Sequence, residues 1–234
     1  MRPLKSIAIC STLLLLLFFL FPNYQPSATP VKSAKVTAKQ YQKNPHLTYP
    51  YVFGLTNKTA EKKINAVLTK HIKKSAANYK QLMNEMKEMQ NKDICKDSPS
   101  ACQYEYTTNY DVKYNKKNKL SLLLYDYQFT GGAHGSTMVT SYNFNLKTGQ
   151  LYILDDFFHT KNVYKKVTAY AKKYMLKNPD IFYPASKEFS SFQLTNQTQF
   201  YFADGGIYLI FQQYEVGPYV SGNPTIFIPA SLYK

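Results

Sequence analysis

The sixteen residues from Ser6 to Phe21 carry no charge, include five consecutive leucines at Leu13 to Leu17, and follow two basic residues, Arg2 and Lys5. A positive start before an apolar stretch is the layout of an export signal. As a helix the run spans roughly 24 Å, against about 30 Å of bilayer hydrocarbon, so residues 1–21 fit either a cleaved signal peptide or a short membrane anchor. Proline spoils a cleavage site at Pro26-Ser27-Ala28, and Val36-Thr37-Ala38 lies far from the apolar run. Cys10, flanked by Ile7 and Ile9, reads as a buried apolar cysteine rather than a lipidation site. Either form of the leader predicts an extracytoplasmic protein, with a membrane contact if the segment is retained.

Residues 22–45 are rich in Pro, Ser, Thr, Ala, Lys and Gln and poor in large apolar side chains, which predicts a flexible tether. That leaves about 190 residues, 46–234, for one domain with a proper core, read as an N-terminal part 46–115 and a C-terminal part 116–234. The chain has 22 Tyr, 15 Phe and no Trp, and aromatic side chains favour half-buried sheet faces. Its net charge of +15 favours polyanionic partners. Arg2 is the one arginine, however, and lysine alone suits diffuse attraction to phosphate-rich polymer better than base readout, which argues against nucleic acid.

Cys95 and Cys102 enclose a six-residue loop containing Ser-Pro-Ser, and in an oxidising compartment such a pair predicts a disulfide worth about 2.5 kcal/mol in the chain-entropy account. Tyr49 to Leu55 predicts a first strand. Ile64, Val67, Leu68, Ile72, Ala76, Tyr79, Met83 and Met86 recur at three and four, predicting a long helix capped by Asn57 or Thr59. Strands are expected at Tyr104–Tyr114 and Leu120–Phe129, joined by a polar turn, and at Met138–Leu146, with a hairpin onward into Leu151–Leu154. A second helix is expected at 162–177, stopped by Asn178-Pro179, and further strands at Phe200–Ala203, Ile207–Gln212 and Thr225–Ile228. Strands segregated from two main helices predict an α+β fold with a largely antiparallel sheet.

Hydrolysis needs a nucleophile with its base, paired carboxylates or metal ligands. Only four histidines are present. His46 and His71 are expected to be solvent-exposed. Asp155, Asp156 and His159, with His134, make a weak case for zinc; an Asp-Asp pair after a strand more often caps a turn. We therefore expect no catalytic residues, no metal and no cofactor. Two loops stand out as binding surfaces. In the first, Gly131, Gly132 and Gly135 surround His134 and precede Ser136, so the backbone can adopt positive φ and approach a neighbour closely. The second carries Tyr214, Glu215, Pro218 and Tyr219 on a Gly-Pro turn, and rigid aromatics beside exposed backbone suit a sugar face or a protein groove. An ordinary bulge and an ordinary Pro-Gly turn would account for the same residues.

The stretches Gly131-Gly132-Ala133-His134-Gly135, Tyr142-Asn143-Phe144-Asn145-Leu146-Lys147-Thr148-Gly149, Asp155-Asp156-Phe157, Asp204-Gly205-Gly206-Ile207 and Tyr214-Glu215-Val216-Gly217-Pro218-Tyr219 occur in order, ending in Ile228-Pro229. Together they resemble the extracellular domain shared by the bacterial anti-sigma-V factor and peptidoglycan deacetylase C. Tyr49-Pro50, Gly54-Leu55 and Ile64-Asn65 look like the region that precedes it in those proteins. In the anti-sigma-V factor this domain is the lysozyme receptor; in the deacetylase it accompanies a separate catalytic domain, so the resemblance implies a binding module. With only Met1 to Lys5 ahead of the apolar run and no deacetylase motif, the chain is expected to keep the ectodomain alone. The expected partner is wall glycan or anionic wall polymer, with lysozyme second and a hydrolase using His134 third. Common lysozymes are cationic, so a lysozyme complex would need a local acidic face, for which Glu215, Asp204, Asp155 and Asp156 are the candidates.

Overall fold

Asn57 opens the longest element of the molecule. Its Oδ1 accepts from the N–H groups of Thr59 and Ala60, and the helix α1 (Lys58–Gln90) runs on for 33 residues, about 50 Å. The carboxylate of Glu61 accepts the N–H of Leu55 and meets Lys58; burial raises its pKa, but these partners prevail and hold it below the ordinary value. The computed structural model describes residues 33–90, 92–98, 102–183 and 187–234. The leader and its cleavage question lie outside those residues. Among the described residues no helix is long and apolar enough to cross a membrane.

Ahead of α1, β1 (Lys35–Gln40) pairs antiparallel with β2 (Thr48–Phe53), Val36 facing Val52. The tether expected through residue 45 therefore gives way to folded chain by residue 35. Its side chains are mostly exposed, which is why composition hides it. Backbone bonding holds it instead: β1 ladders with β2, and Asn115 grips both the N–H and the C=O of buried Ala34 at 2.8 and 2.7 Å.

After α1, the short α2 (Asp93–Asp97) leads into the disulfide between Cys95 and Cys102 at the corner before the main sheet. That sheet is β3 (Tyr104–Lys116), β4 (Lys119–Thr130) and β5 (Ser136–Asn145), antiparallel, with a bulge between Val112 and Tyr114. The division expected at residue 115 falls inside the β3–β4 hairpin, whose twelve paired positions keep both sides in one sheet. Leu120, Leu122 and Leu124 face α1, packing on Ile64 and Leu68, while Leu123 faces the opposite side. A strand buried on both faces reads as a continuous apolar run, and Leu120 to Leu124 is one apart from Ser121.

A short hairpin follows β5: across the turn at Lys147 to Gly149, Asn145 N–H donates to Gln150 C=O at 2.9 Å and Tyr152 N–H donates to Asn143 C=O at 2.7 Å. Phe144 makes a single bridge to Leu151, and the chain turns off at 154–156, where Leu154 is buried and the carboxylate of Asp156 accepts the N–H of Ile153. Of the Asp pair, Asp156 thus caps a turn. Helix α3 (Lys161–Leu176) is capped by Thr160, and α4 (Lys187–Ser191) is a single turn. The second sheet is β6 (Phe200–Ala203), β7 (Gly206–Ile210) and β8 (Thr225–Pro229). One of its faces packs on α3 through Val167, Ala171 and Met175 with Ile207, Leu209, Ile226 and Ile228; the other meets Leu123 and Val139 through Tyr201 and Ile210. The order is helix, sheet, sheet, helix, an α+β fold.

From Thr137 to Ser141 the outer edge of β5 has no strand partner among the described residues. Its N–H groups at Thr137, Val139 and Ser141 donate to the side-chain oxygens of Gln213, Gln212 and Gln199 at 2.7, 3.0 and 2.6 Å. Gln199 and Gln212 each return an amide hydrogen to the carbonyl of Val139. Side-chain amides thereby join the main sheet to the second one.

Candidate functional site

The two loops singled out by sequence come together. Thr130 ends β4 and Ser136 starts β5, so Gly131 to Gly135 form the connecting loop, with φ of +84° and +93° at Gly131 and Gly132. A Cβ at Gly135 would lie 2.5 Å from the ring of Tyr127, which would have to move to admit it. The turn after β7 brings Tyr214 and Tyr219 against this loop. His134 stacks on Tyr219 with ring centroids 3.8 Å apart and planes at 18°, and its Nε2 lies 3.3 Å from the Tyr214 hydroxyl. Tyr214 holds φ at +65°, a left-handed conformation costing a non-glycine residue about 1 kcal/mol, which sets its ring over the loop. Gln212 N–H donates to Glu215 at 2.7 Å, closing the turn, while the protein around that carboxylate strips water from it and pushes its pKa up. Ser136 is exposed beside the loop and Pro218 is half-buried in the turn.

This forms an aromatic shelf. Tyr214 is 55% exposed, Val220 86%, and Ile181 and Tyr183 add apolar surface where Tyr183 N–H donates to Val216 C=O and Ser221 donates to Ile181 C=O. Glu215 is the carboxylate of the shelf itself. Asp204 is not part of it: it pairs with Lys116 at the β3–β4 end of the sheet, and β4 runs twelve residues, about 40 Å, from there to the His134 loop. Asp155 is engaged by the Tyr164 hydroxyl and the Asn196 amide. The acidic face expected from four carboxylates reduces to one at the shelf. Among the described residues no three His, Cys, Asp or Glu side chains gather as metal ligands.

A second polar centre went unread in the sequence. His71 was expected in solvent, yet its side chain is only 11% exposed, because it falls three residues after Leu68 on the face that α1 turns to the sheet. Its Nε2 lies 2.9 Å from Asp126 and its Nδ1 3.1 Å from the Tyr142 hydroxyl. The Tyr106 hydroxyl donates to the other oxygen of Asp126 at 2.7 Å. Burial raises the pKa of Asp126, but hydrogen bonds from His71, Ser75 and Tyr106 outweigh it and hold the carboxyl below its ordinary value. Being ionised, Asp126 only accepts, so Nε2 of His71 carries a hydrogen, and in the neutral ring Nδ1 accepts from Tyr142. The group lines a cleft of about 590 Å³ between α1 and the β4–β5 surface, with Lys70 and Lys74 on one side and Met138 and Leu151 on the other. The available signal was register: Asp126 continues the core-facing series Leu120, Leu122, Leu124, and His71 continues Ile64 and Leu68.

Comparison with known proteins agrees with the sequence motifs in part. Residues 36–137 match the family model described as deacetylase PdaC, and residues 155–231 match the model described as a protein of unknown function, DUF3298. The two matches follow one another along the chain. Over 133 residues it is 27% identical to the peptidoglycan-N-acetylmuramic acid deacetylase PdaC of Bacillus subtilis (strain 168), a match covering 56% of this chain and 28% of that protein. The crystal structure of a DUF3298 family member from Bacteroides fragilis superposes with a TM-score of 0.59 at 18% identity, over 86% of this chain and 90% of the other, and so shares the fold. A DUF3298 family protein from Pseudomonas aeruginosa gives a TM-score of 0.49 at 16% identity, over 87% of this chain and 91% of the other.

Proposed function

We propose that this is an extracytoplasmic, non-catalytic recognition module of the cell envelope, binding wall glycan or anionic wall polymer. The observation that carries the reading is the His134–Tyr219 stack, a flat ring pair held at a loop tip next to exposed Tyr214 and Val220. Such faces suit the apolar side of a sugar ring. The surrounding charge of +15 adds long-range attraction to an anionic wall. The peptidoglycan named in its deacetylase relative supports the same ligand class. A binding role rather than hydrolysis is supported by the hydroxyls nearest a base: burial pushes the pKa of Tyr106 and Tyr142 up, the opposite of what a nucleophile needs.

Retention on purified sacculi tests this. Wild-type protein should be retained at low salt, and Tyr219→Ala should lower the portion that survives moderate salt by about tenfold, the loss of one good aromatic contact. No retention at low salt ends the proposal. A second reading, lysozyme binding, is favoured by the apolar surface of Tyr214, Val220, Ile181 and Tyr183 around Glu215, the carboxylate that can meet a cationic protein. Titrating lysozyme activity with the soluble domain decides it: neither inhibition nor a complex at micromolar concentration removes that reading.

A further inference from the structure

The cleft beside His71 meets the loop of the shelf at Ser136 and otherwise has its own lining, and no role has been assigned to it. Its volume, about 590 Å³, lies within the range of small-ligand sites and holds one or two sugar rings. Its walls differ from a protein groove. Asn78, Gln128, Ser136 and Thr140 offer neutral donors and acceptors on both sides, and the rings of Tyr106 and Tyr142 stand among them. Mixed amide, hydroxyl and aromatic lining is what a polyhydroxylated ring requires.

The charges select further. Lys70 and Lys74 are exposed, one helical turn apart at the mouth, and neither pairs with a carboxylate among the described residues. Between Glu61 and Glu85, α1 carries six lysines and no acid. The only carboxylate lining the cleft, Asp126, already has both oxygens occupied, by His71 and Tyr106. An entering ligand thus meets two uncommitted ammonium groups and a floor whose negative charge is satisfied. With its ring neutral, His71 accepts the Tyr142 hydroxyl hydrogen at Nδ1, which leaves the phenol oxygen to accept from a sugar hydroxyl.

We propose that this cleft binds an acidic saccharide, its ring between α1 and the β4–β5 surface and its acid group on Lys70 and Lys74. The ligand's source rests on the cell-envelope reading above; its chemistry does not.

Isothermal titration, with the His71 ring resonance followed by NMR as the local reporter, tests it with three probes. N-acetylmuramic acid and N-acetylglucosamine share a ring and differ by a carboxylate-bearing ether; glycerol 3-phosphate has the charge without the ring. The acidic sugar should bind about tenfold tighter than the neutral one, the scale of a charge-assisted contact, and glycerol 3-phosphate more weakly than either. Lys70→Gln combined with Lys74→Gln, both at exposed positions, should bring the two sugars to parity with unfolding unchanged. Tyr219→Ala should leave all three affinities alone, so a failure of sacculus retention and a failure here are read apart. The proposal is overturned by an unmoved His71 resonance, by equal affinity for the two sugars in the wild type, by a preference for glycerol 3-phosphate, or by a preference that survives loss of both lysines.

Discussion

One interface, α1 on the main sheet, is built two ways along its length. At the end near the start of α1, Ile64 and Leu68 are fully buried on Leu120, Leu122, Leu124 and Phe144, with no polar side chain between them. One to two turns further along, the same register positions carry His71 and Ser75 facing Asp126, and the surfaces separate into a cleft. The apolar end is held by burial, which is indifferent to direction. The polar stretch adds hydrogen bonds whose geometry must be right, beside the apolar contact of Ile72 and Leu82 with Leu47 and Tyr106, and a buried polar group left without its partner costs more than the bond was worth. The lesson is a division of labour: the apolar contacts secure the helix, which leaves the stretch beside His71 free to stay open.

The largest effect should come from the apolar end. Leu68→Ala leaves a cavity that the sheet cannot fill and should cost about 3 kcal/mol, seen as a lower urea midpoint at constant slope. Asp126→Ala orphans Tyr106 and His71 and should cost about 2 kcal/mol. If it costs more than Leu68→Ala, the polar end is the anchor and the division of labour is reversed. Acid sharpens the contrast. The folded-state pKa of Asp126 lies below its ordinary 3.8, so the stability it contributes is complete above that value and is lost as pH falls through the lower folded one. Asp126→Asn should flatten that part of the stability-against-pH curve, while Leu68→Ala should leave its shape unchanged. Smallest of all, Met138→Ser at the lip, a side chain 62% exposed, should change stability by no more than about 0.5 kcal/mol.

Much of this fold could be read from the chain. The 3.6-residue recurrence from Ile64, the cap at Asn57, the polar turn before Lys119 and the Gly-Pro punctuation each act locally, so their signals are local. The two loops that meet at the shelf were also marked in the chain by their glycines and tyrosines, although their meeting was not. What escaped depended on distant partners. β1 has the composition of a tether and is ordered by β2 and by Asn115, 81 residues from Ala34. His71 looks like one more polar residue among lysines until Asp126, 55 residues on, is placed opposite. The hairpin expected into Leu151–Leu154 forms only as far as Tyr152, because Asp156 caps a turn at 154–156 by accepting the N–H of Ile153.

An unpaired strand margin ordinarily recruits foreign strands, the first step towards fibrils. On β5 that margin is already answered at Thr137, Val139 and Ser141 by amide side chains that cannot propagate a ladder. That stretch of β5 can therefore stand at high local density without templating a foreign strand.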